Sequence, residues 1–219
     1  MTRHSTPPTA HPTQWWWERV ARRIRVPLGF VVAAMFLVQI ARTEPHPAAI
    51  AWSLALVLPG LSLRAAASGT VKKNRELTVT GPYAFTRNPL YLGSALIAAG
   101  FAVALLSWLV AIVLLCGFAV IYIPVIASEE RYLRATFPNF DAYCRRVPRF
   151  IPRLTAAKPS EISTLAPSVP PVTSHAPPGF SLALYRKHRE YNAALGAALL
   201  YLSLLFLRPL LGLILHGAR

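Results

Sequence analysis

The sequence predicts an all-α fold: a polytopic integral membrane protein with about five transmembrane helices and a cytoplasmic C-terminal catalytic region. Of its 219 residues, 54% are hydrophobic and 14% are charged, whereas a soluble domain carries about 25% charged residues. Of the 23 lysines and arginines, 20 lie in residues 1–25, 64–87 and 129–190. That clustering is typical of cytoplasmic loops. It therefore argues against nucleic-acid binding, despite a net charge of +15.

The chain divides into five predicted regions. They are a cytoplasmic tail with an interfacial segment (1–25), two transmembrane helices (26–63), a core of one helical hairpin and a cytoplasmic amphipathic segment (64–154), a Pro/Ser/Thr-rich linker (155–180) and a C-terminal transmembrane helix (181–219). Because successive spans alternate across the bilayer, the N-terminus and the core are predicted to share the basic, cytoplasmic side of a bacterial inner membrane. The C-terminus is predicted to lie on the opposite side.

Five apolar runs are the basis of the predicted spans. Residues 26–41 are uncharged but slightly short against the ~20 residues that cross a bilayer, and residues 45–63 form the second run. The uncharged stretch 88–128 has the length of two spans, with a turn expected at residues 106–108. The fifth run covers residues 191–213, where Arg208 and Pro209 predict an end that is irregular or that snorkels to the far interface.

The segment after the hairpin reads as a cytoplasmic helix. Apolar residues recur at three- and four-residue steps over residues 133–147, which predicts one amphipathic helix lying against the membrane or the bundle. Pro148 is expected to end it. Residues 155–179, rich in Pro, Ser, Thr and Ala, predict a flexible linker.

Polar residues cluster at the mouth of the hairpin. Asn88 followed by Pro89 predicts a helix N-terminus, and such an end attracts a carboxylate or a phosphate. Arg87 would add a bidentate donor, and Tyr91 lies on the same helical face as Asn88. The alternatives are that Asn88 is only a cap and that Tyr91 is only an interfacial aromatic residue.

Glu129 and Glu130 follow the apolar run of the fourth span. At the C-terminal end of a helix, two carboxylates oppose the helix dipole and repel each other, so we expect a cation to compensate them. That cation could come from Arg131, Arg134, Arg145 or Arg146, or from the ammonium or sulfonium group of a ligand. The basic segment containing Arg146 and Arg149 would then fold back over the hairpin mouth and orient an anionic substrate group; alternatively, it binds anionic lipid.

These motifs together resemble the isoprenylcysteine carboxyl methyltransferase family and the related phospholipid methyltransferases. The strings are G-P-Y-A-F-T-R-N-P-L-Y-L-G from residue 81, E-E-R-Y-L from residue 129, F-P-N-F-D-A-Y from residue 137 and R-V-P-R-F-I-P from residue 146. The resemblance covers about residues 75–153. It implies an integral membrane methyltransferase that uses S-adenosyl-L-methionine without a metal ion or a Rossmann domain.

The resemblance also implies the site residues. The cofactor-binding candidates are Tyr83, Arg87, Asn88, Pro89, Tyr91, Gly93 and Glu130, and the catalytic candidates are Glu129, Arg146 and Arg149. Asn88 stands where the family typically has His, and unlike His it cannot titrate. An Arg that eukaryotic members of the family carry just over a turn before the Glu pair is absent from residues 122–125.

The sequence therefore predicts O-methylation of a carboxylate on a lipidated or lipophilic acceptor, at the membrane and without nucleic acid. The alternatives are a phospholipid N-methyltransferase, a non-catalytic membrane protein that retains the fold, and a sterol-type reductase using NADPH. The two cysteines and six histidines show no metal-ligand spacing, and no disulfide is expected. The oligomeric state stays open.

Overall fold

The computed structural model describes residues 34–36, 38–40, 42, 46–72, 76–165 and 179–216, with side chains as far as residue 207. Its helices are α1 (Pro47–Thr70), a 3-10 turn (Gly81–Ala84), α2 (Pro89–Ala104), α3 (Trp108–Thr136), α4 (Phe140–Arg146), α5 (Pro159–Thr164), α6 (Leu182–Lys187) and α7 (Tyr191–His216). No strand occurs among these described residues, in agreement with the predicted all-α class.

Two helices, α1 and α3, are long and apolar enough to cross a membrane. Trp108 and Leu115 of α3 are 75% and 69% exposed, as expected of a helix that faces lipid. Helix α2 and the apolar part of α7, Tyr191–Leu207, are shorter. The first predicted span, 26–41, falls mainly outside the described residues, although its described residues are helical. Five spans therefore remain a prediction.

Helix α1 continues to Thr70, beyond the predicted end at residue 63. The extension is rich in Ala, the best helix former, and it carries Arg64 within the helix instead of in a loop. Pro89 begins α2 at its first position. The turn predicted at residues 106–108 lies one residue earlier, because residues 105–107 separate α2 from α3. Trp108 begins α3, and the Ser107 hydroxyl accepts a hydrogen bond from the Val110 N–H at 3.3 Å.

Glycines bring α1 and α2 close together. A Cβ atom added to Gly93 would lie 2.7 Å from the Gly60 carbonyl oxygen, and one added to Gly100 would lie 2.9 Å from the Ser53 carbonyl oxygen. Small residues at such a crossing let two membrane helices approach closely. Helix α2 therefore presents its first turns, which carry the hairpin-mouth motif, directly beside α1.

The extents of α3, α4 and α7 correct three predictions. Helix α3 runs through Glu129 and Glu130 to Thr136, so the glutamates do not end a helix and the argument from opposition to its dipole was wrong. The single amphipathic helix over 133–147 was also wrong, because the chain turns near Pro138 and α4 begins at Phe140. The backbone of α7 stays helical through His216, so the irregular end predicted at residues 208–209 is not seen.

The apolar residues that recur over residues 133–147 nevertheless pack together. Phe140, Tyr143 and Val147 are buried with Val79, and Leu133 and Phe137 pack against them. The same cluster contains Ala157 and Ile162, of which Ile162 is 0% exposed in α5. The flexible-linker prediction was therefore wrong for the part up to residue 165, whereas residues 166–178 lie outside the described residues.

Candidate active site

A cavity of about 420 Å³ opens where α2 begins beside the C-terminal half of α3. Its volume falls within the ~300–1,000 Å³ typical of small-molecule sites. The predicted residues that line it are Tyr83, Arg87, Asn88, Pro89, Tyr91, Glu129 and Glu130. The tertiary structure therefore brings together two motifs that are separated by about 40 residues of apolar hairpin.

Glu130 is held by two arginines. Arg87 Nη1 lies 3.2 Å from Glu130 Oε1, and Arg149 Nε donates to the same oxygen at 3.0 Å while its Nη2 contacts Oε2 at 2.5 Å. Glu130 is 7% exposed, and a carboxylate so buried needs such partners. The cations that compensate Glu130 are therefore Arg87 and Arg149. Neither is among the four arginines predicted for this role, and one of those four, Arg134, pairs with Asp141.

Glu129 has different surroundings. Its Oε1 accepts a hydrogen bond from the Tyr91 hydroxyl at 2.9 Å. The Tyr91 ring packs edge-on against Tyr122, with centroids 5.1 Å apart, and Tyr122 also lines the cavity. A carboxylate beside tyrosine rings is suited to bind a cation, since the negative faces of aromatic rings attract positive charge.

Asn88 occupies the N-cap position of α2 but makes no side-chain cap hydrogen bond. Its Nδ2 instead donates to the Arg149 carbonyl oxygen at 3.1 Å. Thr86 Oγ1 donates towards the Arg149 and Phe150 carbonyl oxygens at 3.1 and 3.2 Å, and the Arg87 N–H donates to the Pro148 carbonyl oxygen at 2.9 Å. Residues 148–153, which we call the strap, are thus fastened beside the hairpin mouth.

Burial makes two tyrosines of the cavity wall, Tyr83 and Tyr143, less acidic. The Tyr143 hydroxyl donates to the Tyr83 carbonyl oxygen at 2.7 Å. Burial raises the pKa of Tyr143 and of Tyr83 above its usual value, and the charge of Glu129 adds to the shift at Tyr83. Burial likewise raises the pKa of the Cys144 thiol, although the guanidinium of Arg87, with Nη1 at 2.7 Å from Cys144 Sγ, opposes this.

Three predicted site residues are placed apart from the cavity wall. Gly93 lies in the α1–α2 crossing, where an added Cβ would meet Arg64 Cγ at 2.6 Å. Arg146 is exposed, and its carbonyl oxygen accepts from Arg153 Nη1 at 3.1 Å. Arg149 reaches Glu130 with its side chain half exposed. The catalytic and cofactor roles expected of these residues stay predictions.

Sequence reasoning missed the ion pair between Arg64 and Glu190. Arg64 Nε and Nη2 contact Glu190 Oε2 at 3.1 and 2.7 Å, and Nη2 contacts Oε1 at 3.0 Å. Both residues line the cavity. A usable signal was present, since Glu190 is a single acidic residue directly after the basic residues 186–189 and directly before the apolar α7.

Comparison with known proteins gives a match to part of the chain. Residues 60–139 match the family model of phospholipid methyltransferases, which confirms the resemblance over α2, α3 and the Glu pair. The chain is 42% identical over 84 residues to the cobalt-zinc-cadmium resistance protein CzcN of Cupriavidus metallidurans. The nickel-cobalt-cadmium resistance protein NccN of Alcaligenes xylosoxydans xylosoxydans gives the same identity over the same length.

These matches are limited in extent. Each covers 38% of this chain and 39% of the relative, so the chain spans about two fifths of the length of the curated relatives it matches. No solved structure matches the chain. The family model ends at residue 139, so the strap and α7 lie outside the matched residues.

Proposed function

We propose, from the premise that residues 60–139 are similar to phospholipid methyltransferases, that this chain is an S-adenosyl-L-methionine-dependent methyltransferase of a membrane. Its acceptor would be a lipophilic or lipidated molecule that carries a carboxylate. The proposed location is a bacterial inner membrane with the cavity on the cytoplasmic side. The observation that carries this proposal is the cavity that joins Glu129, Tyr91 and the start of α2 beside two apolar helices.

The cavity fits the chemistry of the cofactor. Glu129 and the rings of Tyr91 and Tyr122 would face a positively charged group, and the first turn of α2 would attract a carboxylate. Arg87 Nε is buried without a hydrogen-bond partner among the described residues, so it leaves one donor for a ligand. When bound, S-adenosyl-L-methionine supplies a methyl group on a positively charged sulfur, which a carboxylate can accept without losing a proton.

The residues of the chain would then act by holding and shielding the reactants. The Arg87–Glu130–Arg149 cluster fixes the strap against α3, so the mouth of the cavity keeps its shape. Positioning of two reactants in line lowers the barrier by removing their relative freedom. Asn88 cannot act as a base, and its amide is already used to hold the strap, which favours an acceptor that needs no base.

A second candidate is phospholipid N-methylation, which the description of the matching family favours. An amine acceptor must lose a proton, and Glu129 is the carboxylate of the cavity that is bonded to a neutral group, Tyr91. Glu129 would then be the base. The two reactions give products that are easily separated, because methyl esters hydrolyse in alkali and methylated amines do not.

Two measurements test the proposal. Titration calorimetry of the purified full chain with S-adenosylhomocysteine should show binding that is weakened in Glu129→Gln. Incubation of membranes with methyl-labelled S-adenosylmethionine should give a lipid-soluble label that alkali releases. An alkali-stable label in phosphatidylethanolamine derivatives would select N-methylation. Absence of both binding and labelling would reject the enzyme and favour a non-catalytic protein, and binding of NADPH instead would favour a reductase.

A further inference from the structure

An exposed apolar patch lies on the strap and directly after it. Ile151 is 82% exposed and Leu154 is 101% exposed, and Pro152 between them is exposed as well. A group of large apolar side chains on a surface, bordered by polar residues, marks an interaction site. The patch therefore calls for a partner that accepts apolar side chains.

The strap lies along the apolar part of α3. Phe150 packs edge-on against Phe118, with ring centroids 6.5 Å apart, and Phe118 is at the middle of the uncharged stretch 108–128. Arg149, the neighbour of Phe150, contacts Glu130, which lies about 18 Å further along the helix at 1.5 Å per residue. The strap therefore runs from the polar end of α3 towards its apolar middle, beside the surface that would face lipid.

The polar backbone groups of the strap turn towards the protein. The carbonyl oxygens of residues 148–150 accept hydrogen bonds from residues 86–88, and the Arg153 N–H donates to the Phe85 carbonyl oxygen at 3.0 Å. Irregular backbone beside lipid is costly unless such groups find partners within the protein. These groups of the strap have partners, so its apolar side chains are free to contact acyl chains.

The arginines around the patch divide into two groups. Arg149 is bound to Glu130. Arg146 is exposed, and Arg153 Nη1 donates to the Arg146 carbonyl oxygen at 3.1 Å, which brings these two residues together beside Ile151. Neither Arg146 nor Arg153 forms an ion pair with another residue that the structure describes. Their charges are therefore available to an external anion.

We propose that this patch anchors the strap in a bilayer that contains anionic phospholipid. Ile151 and Leu154 would contact the acyl chains, and Arg146 and Arg153 would bind headgroup phosphates through charge-assisted hydrogen bonds. Residues 142–158 contain five basic residues and no acidic one, so the segment complements a negatively charged lipid surface. The inference rests on the membrane location in the proposed function and is independent of the methyl-transfer reaction.

The test is photocrosslinking of the full chain in nanodiscs of phosphatidylcholine in which roughly one lipid in five is phosphatidylglycerol. p-Benzoylphenylalanine replaces Ile151 or Leu154, whose exposure lets the chain accept the larger side chain, and the adducts are identified by mass. An arginine near an anionic surface favours it by a factor of about five. We therefore expect lipid adducts in which phosphatidylglycerol is enriched about fivefold over its share of the bilayer.

Two other exposed positions serve as matched controls for the photoreactive residue. Leu115 is exposed on α3 near the middle of its apolar stretch, and there we expect lipid adducts without enrichment of phosphatidylglycerol. Ser160 is exposed on α5, and there we expect no lipid adduct. The first control measures contact with lipid in general, and the second measures contact with the polar layer.

A double variant separates the charges from the apolar contact. Arg146→Gln combined with Arg153→Gln removes both charges and keeps side-chain hydrogen-bond donors. With the photoreactive residue at position 151, this variant should still form lipid adducts but lose the enrichment of phosphatidylglycerol. Arg146→Lys combined with Arg153→Lys keeps the charges and should keep the enrichment.

Several outcomes would overturn the inference. Lipid adducts at position 151 without enrichment, or an enrichment that persists in the glutamine variant, would reject the binding of anionic lipid. Adducts to a second copy of the chain in place of lipid would show a protein interface instead. Lipid adducts at position 115 but not at 151 or 154 would reject the anchor alone, whereas none at any position would also reject the membrane location. Binding of S-adenosylhomocysteine scores the methyltransferase separately.

Discussion

Glu129 and Glu130 are neighbours in the sequence but lie in different surroundings. Glu130 is buried between Arg87 and Arg149 and so connects α3 with the strap. Glu129 contacts the hydroxyl of Tyr91. Successive residues of a helix point about 100° apart, which explains how one carboxylate is bound by arginines and the other by a tyrosine on α2.

This difference predicts that two conservative substitutions change different properties, one the stability of the chain and the other its affinity for the cofactor product. Glu130→Gln leaves two guanidinium groups beside a neutral amide, and we expect it to lower the free energy of unfolding by about 1–3 kcal/mol. Glu129→Gln should leave thermal unfolding unchanged and weaken S-adenosylhomocysteine binding about tenfold. Thermal unfolding in detergent and titration calorimetry measure the two effects. The reverse pattern would show that the two roles are exchanged.

Burial of Tyr83 and Tyr143 predicts a loss of stability in alkali. Their pKa values are raised by burial, so the folded chain keeps both phenolic protons at a pH where the unfolded chain, with pKa values near 10, loses them. The folded state then binds more protons, and stability falls as the pH rises above about 10. We expect Tyr143→Phe to make this fall shallower.

Tyr143→Phe should also lower the free energy of unfolding at neutral pH. Tyr143→Phe removes the hydrogen bond to the Tyr83 carbonyl oxygen and should destabilise the chain by about 1 kcal/mol. Tyr132 is half exposed, and Tyr132→Phe is the control. It should change neither the free energy of unfolding at neutral pH nor the steepness of its fall in alkali. Thermal unfolding from pH 7 to 11, with tyrosinate absorbance as a second signal, checks both. A fall of equal steepness in the wild type and in Tyr143→Phe would contradict the assignment.

At the scale of elements, the crossing of α1 and α2 positions the site. Gly60 and Gly93 bring the two backbones together, and Arg64 follows Gly60 by one turn of α1. Arg64 then reaches the Leu90 carbonyl oxygen and the Ser94 hydroxyl of α2. The close approach therefore sets both the start of α2 and the position of the Arg64 guanidinium in the cavity wall.

Two alanine substitutions test this crossing. In Gly93→Ala the new methyl group would lie 2.7 Å from the Gly60 carbonyl oxygen and 2.6 Å from Arg64 Cγ, and we expect a destabilisation of about 1–3 kcal/mol. Gly196→Ala, in open space on α7, should be neutral or stabilising by up to about 1 kcal/mol. Thermal unfolding of both variants in the same detergent is the measurement. Equal stability of the two would contradict a tight crossing.

At the scale of the whole molecule, apolar helices carry a basic, polar layer on one side. Helices α1 and α3 expose large apolar side chains such as Trp52, Trp108 and Leu115, which is typical of surfaces that face lipid. The cavity, the strap and the Arg64–Glu190 pair lie where those helices meet the polar segments. A cofactor from water and an acceptor from lipid could meet there.

The predicted orientation can be tested with paired reporter fusions. We expect a fluorescent protein inserted between residues 165 and 179 to fluoresce in the cytoplasm, because the basic residues of 129–190 favour that side. Alkaline phosphatase fused after residue 219 should be active, because the fifth span would place it on the opposite side. The exchanged fusions are the controls. Phosphatase activity at the inserted site and none at the C-terminal one would reverse the orientation.

The sequence determined the helical class, the hairpin with its turn to within one residue, and seven of the residues that line the cavity. These follow from local signals: uncharged runs, the Asn88-Pro89 helix start and the adjacent glutamates. Only the tertiary structure decided that Glu130 pairs with Arg87 and Arg149, that the strap is fastened by Thr86 and that Arg64 pairs with Glu190. Those contacts join residues 19 to 126 positions apart, and no periodicity in the sequence encodes which distant charges will meet, because helix lengths and crossings select the partners.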